Sequence, residues 1–254
     1  MGKLRVAVLG VGHWYSAFGL GRALRESSKA ELVAASDGQA EHLREFTSAF
    51  GVNGYASADE LLDKERVDIV QIAAPVNDLK ALTVQAAEAG KHILLGKPMA
   101  MTVDEARVMV SAVQKAGVLC FPFQCHLRLR YLDLKARIDR GDIGDVLLMH
   151  QTSRWSIAED WLNSGRPGWF ADPKHVPGGA LIDEGIYWLD FFRWITGSEI
   201  ADVEARIGNV LHKDLQVEDW GLATFTMANG VVATLDRKST RLNSSHVSES
   251  RMPS

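Results

Sequence analysis

A lysine set between two apolar segments is the first residue whose type and setting suggest chemistry. Lys97 follows the apolar run of the segment HILLGKPMA, residues 92–100. Pro98 disfavours helical geometry at the residue before it, so Lys97 is predicted to project from the end of a strand. A solvated surface lysine is the alternative interpretation. Partial burial would favour a neutral amine, which suits proton transfer near neutral pH.

A second pair of candidate residues lies in the segment DEGIY, where Asp183 and Tyr187 are four positions apart. On a helix these positions lie one turn apart on the same face, so both side chains can point into one cleft. An ordinary tyrosine titrates near pH 10, and a nearby lysine would favour its phenolate form. The two groups would then act as a coupled unit. The apolar run YWLDFFRWI also allows Tyr187 to be a packed aromatic.

A glycine-rich turn, GVGHWY, follows the first predicted strand and opens a predicted helix. Gly10 permits a tight turn, and Gly12 lets the backbone approach a pyrophosphate at the helix N-terminus. Tyr15 stands where the dinucleotide-binding pattern has its third glycine. Asp37 ends the second strand, where a carboxylate can bind ribose hydroxyls and repel a 2′-phosphate, which favours NAD over NADP. Capping of a helix that begins near Gln39 is the other interpretation of this aspartate.

Four apolar strands alternate with helices in the first half of the chain. Their sequences are LRVAVLG, ELVAASD, VDIVQIAAP and KHILLG. Two helices should begin with reciprocal caps, Ser57 with Glu60 and Thr102 with Glu105. The alternation predicts an α/β fold with a doubly wound parallel sheet, whose ligand lies at the carboxyl ends of the strands.

The pattern changes from about Phe121. A predicted helix and turn, YLDLKARIDRGDIGDV, precede the strands VLLMHQTS, DVEARIGNV and WGLATFTMANGVVATL, and Asn229-Gly230 marks a hairpin. These predict an α+β domain with an antiparallel sheet. One face would pack helices, and the other would face substrate or a second subunit. We therefore place a domain boundary near residue 121, with residues 1–121 in the first domain and residues 122–235 in the second.

Residues 236–254 differ in character from the rest of the chain. They are rich in serine, lack apolar periodicity and follow directly on the strand pattern VVATL. Residues 236–246 resemble the translation of a short-read sequencing adapter. The natural sequence is therefore expected to end near Leu235, with a disordered, non-native tail after it. The last strand is expected to leave an unpaired edge.

Composition narrows the classes of function. The chain has 254 residues, a formal net charge of −4 and two cysteines, Cys120 and Cys125. We predict no metal site, no disulfide framework and no nucleic-acid partner. No apolar run approaches the roughly 18 residues of a membrane span, and no signal peptide is evident, so a cytoplasmic location is expected.

Three further motifs identify a family resemblance. GKPMAMTVDEA, GDIGDV and PGGALIDEGIYWLDFFRWITG resemble segments of the Gfo/Idh/MocA oxidoreductases, and the similarity extends from about Arg5 to Leu235. The resemblance implies NAD(P)-dependent hydride transfer with a sugar, a polyol or a related hydroxy compound. It makes Lys97 catalytic, Asp183 a substrate ligand and Tyr187 the proton-transfer residue in place of the family's usual histidine. It makes residues 1–121 an NAD(P)-binding Rossmann domain and residues 122–235 a truncated, partial substrate or dimerisation domain with a mostly antiparallel sheet. It also implies a homo-oligomer formed through the C-terminal sheet.

The resemblance also completes the predicted cofactor site and shows where it departs from the pattern. The expected cofactor-binding residues are Gly10, Gly12, His13, Trp14, Asp37, Pro75 and Lys97. Gly96 and Val76 stand where the family commonly has glutamate and asparagine. Arg128 is a candidate substrate contact or interdomain ion-pair residue. Two other functions stay open: an NAD-dependent glycosidase of the same fold and a non-catalytic NAD-binding regulator.

Overall fold

The first part of the molecule is a six-stranded parallel sheet. A computed structural model describes residues 2–122, 129–157 and 168–240 of the chain. The strands are β1 (Leu4–Leu9), β2 (Ala30–Ser36), β3 (Asn53–Tyr55), β4 (Ile69–Ile72), β5 (His92–Leu95) and β6 (Cys120–Pro122). They lie in the order β3-β2-β1-β4-β5-β6, and every pair is parallel. The predicted doubly wound sheet is confirmed.

Helices cover both faces of this sheet because its strands are apolar on both sides. The helices are α1 (Trp14–Arg25), α2 (Ala40–Phe50), α3 (Ala58–Lys64), α4 (Val76–Glu88) and α5 (Val103–Ala116). Leu9 belongs to one buried cluster and Val8 to another, as expected for alternate residues of a central strand. One half of each predicted cap is confirmed: Ser57 and Thr102 each accept a hydrogen bond from the backbone N–H three residues later. The Glu105 carboxylate accepts from the N–H of Met101 rather than from that of Thr102.

The second part of the molecule is a four-stranded sheet with a long helix packed on it. Its strands are β7 (Leu148–Ser156), β8 (Ile200–Gly208), β9 (Trp220–Met227) and β10 (Val232–Thr240), in the order β7-β10-β9-β8. The β8–β9 and β9–β10 pairs are antiparallel and the β10–β7 pair is parallel, so the predicted mostly antiparallel sheet is confirmed. Helices α6 (Leu129–Asp139) and α7 (Ala180–Thr196) complete this part.

One face of the second sheet forms its core. Ala223 and Phe225 of β9 and Leu235 of β10 are buried against Phe191 and Phe192 of α7. The hairpin expected at Asn229-Gly230 is confirmed, with Gly230 at a φ of 87°. Helix α7 is thereby fixed on the sheet along most of its length.

The prediction that the last strand stops at Leu235 and leaves an unpaired edge is wrong. β10 runs to Thr240, and it lies between β7 and β9 rather than at the edge. Residues 236–240 pair with residues 152–156 of β7, and residues 236–238 also pair with β9. Residues 236–240 are charged or polar, so they show no apolar strand pattern. Backbone pairing does not require such a pattern. Residues 241–254 and Arg128 lie outside the described residues.

No helix in the described part of the chain combines the length and the apolar character that crossing a bilayer requires.

The pairing of β10 predicts different results for two C-terminal deletions. Removal of residues 236–254 should lower the Tm by at least about 4 °C relative to removal of residues 241–254. The reason is that, within the described sheet, β10 is the only strand that pairs with residues 152–156 of β7. Thermal unfolding followed by circular dichroism compares the two. Equal Tm values would contradict the role given to residues 236–240.

Candidate active site and cofactor cavity

Lys97 lies at the carboxyl end of β5 and contacts the first turn of α7. Its side chain is only 10% exposed. Nζ donates to Asp183 Oδ1 (2.7 Å), to the Asp183 carbonyl oxygen (2.9 Å) and to Glu184 Oε1 (3.1 Å). An ammonium has three N–H donors, so these acceptors use all of them. The contacts do not fit a solvated surface lysine.

Two carboxylates lie against the Lys97 side chain. Asp183 Oδ1 and Glu184 Oε1 are both within ion-pair distance of Nζ. Charged hydrogen bonds of this kind are stronger than those between neutral groups. The sequence around Lys97 does not reveal these partners, because they come from a helix 86 and 87 residues away.

Tyr187 lies next to Asp183 on the same face of α7. The Lys97 ammonium lies 5.1 Å from the centroid of the Tyr187 ring. The aromatic residues that pack the core are its neighbours along the helix, Phe191 and Phe192. The structure thus brings together the three predicted catalytic residues, one from the first sheet and two from α7.

The start of α7 is capped by Glu218, an acidic residue that the sequence analysis did not identify. Its carboxylate accepts hydrogen bonds from the backbone N–H groups of Gly179 (2.6 Å), Leu181 (3.0 Å) and Ile182 (3.3 Å). These donors have no partner within the helix, so Glu218 caps the helix from a distant loop. A side chain at Gly179 would place its Cβ 2.0 Å from the Glu218 carbonyl oxygen. Gly179, the second glycine of the PGG segment, therefore permits the close approach of Glu218.

His13 and Tyr15 connect the glycine-rich turn to the Lys97 cluster. Burial and then the positive charge of Lys97 lower the pKa of His13 to about 4, so its imidazole is neutral near pH 7. The His13 and Tyr15 rings lie 4.2 Å apart between centroids. Desolvation, followed by the charges of Asp183 and Glu184, raises the pKa of Tyr15 above its usual value. Both side chains therefore share the electrostatic surroundings of Lys97.

A cavity of about 610 Å³ lies at the carboxyl ends of the strands, beside this cluster. Five of the seven predicted cofactor-binding residues line it, namely Gly10, Gly12, Trp14, Asp37 and Pro75. His13 and Lys97 are not lining residues and lie next to the cavity. The position agrees with the rule that ligands of doubly wound sheets bind at the carboxyl edge.

The turn that borders this cavity has features suited to a pyrophosphate. Gly10 adopts a left-handed φ of 71°. A Cβ at Gly12 would lie 3.1 Å from Pro75 Cδ, so this glycine also lets the turn pack against the start of α4. α1 has no side-chain cap and no acidic residue in its first turn. The positive end of its dipole therefore meets no acidic side chain from its own first turn, which favours an anion there.

Asp37 holds the turn and faces the cavity at the same time. Its carboxylate accepts hydrogen bonds from the N–H groups of Val11 (2.7 Å) and Gln39 (2.7 Å). Gln39 is the N-cap residue of α2 and makes no side-chain cap hydrogen bond. The Asp37 carboxylate thus bonds the N-cap position and the glycine turn, and does not cap the first helical turn itself. Remaining lone pairs on both oxygens are left for ligand hydroxyls.

A segment before α7, residues 169–175, forms one side of the cavity. The sequence analysis did not predict this role. Trp169 Nε1 donates to the Gly12 carbonyl oxygen (3.0 Å). The Asn77 N–H donates to the His175 carbonyl oxygen (3.3 Å), and the two side chains lie within hydrogen-bonding distance (2.9 Å). Trp169, Phe170 and His175 line the cavity together with the turn. Both parts of the molecule therefore form its walls.

Comparison with known proteins agrees with this geometry. The model described as an oxidoreductase family with an NAD-binding Rossmann fold matches residues 4–124, and that of the GFO/IDH/MocA C-terminal domain matches residues 131–245. The crystal structure of an aldose-aldose oxidoreductase from Caulobacter crescentus superposes with a TM-score of 0.80 at 26% identity. The match covers 93% of this chain and 71% of that one.

Curated relatives include inositol dehydrogenases. Myo-inositol 2-dehydrogenase of Thermotoga maritima is 29% identical over 82% of this chain and 59% of its own length. The NAD⁺-dependent scyllo-inositol 2-dehydrogenase of Bacillus subtilis is 29% identical over 86% of this chain and 61% of its own length. The chain thus spans about six tenths of the length of these relatives.

The cap on α7 predicts a large effect of Glu218→Ala on stability. Loss of the carboxylate leaves three backbone N–H groups without their acceptor, so the free energy of unfolding should fall by about 1–3 kcal/mol. Glu204→Ala, on the exposed strand β8, is the matched control and should change it by less than about 0.5 kcal/mol. Urea unfolding measures both. Similar losses in the two variants would show that Glu218 does not anchor the helix.

Proposed function

This chain belongs to the GFO/IDH/MocA family of NAD-binding oxidoreductases, and from this premise we propose that it transfers a hydride between a nicotinamide dinucleotide and a hydroxyl-bearing carbon of a sugar, polyol or related compound. The observation that carries the proposal is the cluster of Lys97, Asp183 and Tyr187 beside a cavity bordered by a dinucleotide-type turn. The relatives described above, two inositol dehydrogenases and an aldose-aldose oxidoreductase, support the same substrate class.

The dinucleotide fits the cavity through groups already described. The turn at Gly10 and Gly12, with the N-terminus of α1, would hold the pyrophosphate, and Asp37 would accept hydrogen bonds from the ribose. When bound, the nicotinamide ring supplies the site that accepts or returns the hydride. The protein contributes binding, orientation and proton transfer.

We propose NAD as the preferred cofactor because the cavity carries two acids. Asp37 and Asp78 both line it, and desolvation raises the pKa of Asp78, with the charge of Asp37 adding to the effect. A 2′-phosphate placed near Asp37 would meet a negative charge and lose affinity.

Proton transfer is assigned to Tyr187, assisted by Lys97. A phenol is a poor base near neutral pH, and an ammonium 5.1 Å from the ring favours the phenolate. Tyr187 would take the proton of the substrate hydroxyl during oxidation and return it during reduction. Asp183, held by Lys97, would accept a hydrogen bond from a second hydroxyl and orient the substrate.

The open face of the second sheet is proposed as the contact surface of a homo-oligomer. Leu148 of β7 and Leu222 of β9 are exposed on this face, at 65% and 41%. This face is opposite the one on which α7 packs, so it is available for such a contact.

Two substitutions test the catalytic assignment. Lys97→Met should abolish turnover while leaving the affinity for NAD within about threefold, because the pyrophosphate contacts lie on the turn. Tyr187→Phe keeps the ring and should lower the rate by about 10²–10⁴-fold with little change in Tm. NADH formation with a panel of polyols and sugars, together with calorimetric NAD binding, gives both quantities. Free sugar released without net NADH would instead identify a glycosidase.

The role of Asp37 predicts a switch of cofactor preference. Gly38 has open space around its Cβ position, so an arginine fits there. Asp37→Ser with Gly38→Arg should shift the ratio of NADP to NAD affinity at least tenfold toward NADP, because a repelling charge is replaced by an attracting one. Asp63→Ser on α3 is the charge-matched control. Equal affinities of the parent for NAD and NADP would refute the assignment.

A further inference from the structure

Glu184 is the second acid in contact with Lys97, and sequence reasoning gave it no role. Its Oε1 accepts a hydrogen bond from Lys97 Nζ at 3.1 Å, and its side chain is 34% exposed against 10% for the lysine. One cation is therefore shared by two carboxylates, Glu184 and Asp183. A single partner would suffice to hold the ammonium, so the second carboxylate calls for a physical explanation.

We propose that Glu184 is a specificity-determining residue, which reserves the Lys97 site for uncharged hydroxyl compounds and disfavours acidic sugars. This inference rests on the proposed function, since it concerns the substrate of the same site. A substrate carboxylate would seek a cation, but all three N–H donors of Lys97 are already occupied. It would have to displace one protein carboxylate and lie next to the other.

A neutral hydroxyl group meets no such barrier. It can donate to a free lone pair of Asp183 or Glu184, since each carboxylate oxygen accepts more than one hydrogen bond. It adds no charge to the contact that Lys97 makes with the two carboxylates. Specificity of this kind arises from disfavouring the wrong ligand as well as from contacts with the right one.

The other groups around the cluster bear on this charge balance. His13 is neutral near pH 7, and Tyr15 keeps its proton because desolvation and the two carboxylates raise its pKa. Arg237 of β10 is a further buried cation coupled to Asp183 and Glu184, and its Nη1 donates to Ser153 Oγ at 2.9 Å. Arg237 offers an acidic ligand an alternative partner to Lys97, so the experiment has to distinguish between the two cations.

The test compares a neutral sugar with its acid, glucose with glucuronate, in the presence of NAD. The readout is protection of Lys97 against amine acetylation, quantified by mass spectrometry, which requires no turnover. In the parent, glucose should half-protect Lys97 at a lower concentration than glucuronate. In Glu184→Gln, the ratio of the two half-protecting concentrations should move about tenfold toward glucuronate. Glu184→Asp, which keeps the charge, should retain the preference of the parent.

Asp190→Asn is the matched control, because it removes one negative charge from the same helix about two turns beyond Asp183, where that charge acts on Arg193. It should leave the ratio unchanged. Equal protection of the parent by the two sugars would overturn the proposal and point to Arg237 as the acid's partner. An unchanged ratio in Glu184→Gln, or protection by neither sugar, would also overturn it. NADH formation is measured separately, so loss of the hydride-transfer proposal is distinguishable from failure of the role given to Glu184.

Discussion

The cap that Glu218 places on α7 is the interaction on which the catalytic cluster depends. Three backbone N–H groups of the helix start converge on this one carboxylate. The loop that carries Glu218 is itself fixed by the next residue, since Asp219 is buried and accepts hydrogen bonds from three successive N–H groups, at Val210, Leu211 and His212. Because the first turn of α7 is held in this way, the acids that follow meet Lys97 with a defined geometry.

The ion cluster joins the two sheets and gives the site its chemistry. Lys97 comes from the first sheet and both of its acids from α7, so the charges are complementary only when the two parts are packed together. Burying the ammonium carries a desolvation cost, which the carboxylates and the hydrogen bond to the Asp183 carbonyl offset. The Trp169 bond to the Gly12 carbonyl oxygen adds a second link beside the cofactor cavity. Cofactor cavity and proton-transfer residues are thus parts of one interface.

Much of this arrangement could be predicted from local patterns in the sequence. Most of what could not be predicted depends on contacts between residues that are far apart in sequence. The four long strands, the capped helices and the glycine turn follow from periodicity and turn chemistry within short windows. The strands β3 and β6 have only three residues each, too few for a period to show. Glu184 and Glu218 gave no signal because their partners lie 87 and up to 39 residues away. The span of β10 depends on pairing with β7, which no local pattern reports.

The tyrosine at the third position of the glycine pattern shows how the fold accommodates a departure from its usual sequence. The third glycine serves close packing of the first helix, but here Ala17 and Gly21 are the buried residues of α1. A Cβ at Gly21 would lie 2.4 Å from the Phe50 ring, so this glycine permits the close approach of α2. Because Ala17 and Gly21 meet this packing requirement further along the helix, position 15 can carry a large side chain. Tyr15 stacks on Phe170 and, with 40% of its surface exposed, becomes a wall of the site beside Asp183 and Glu184.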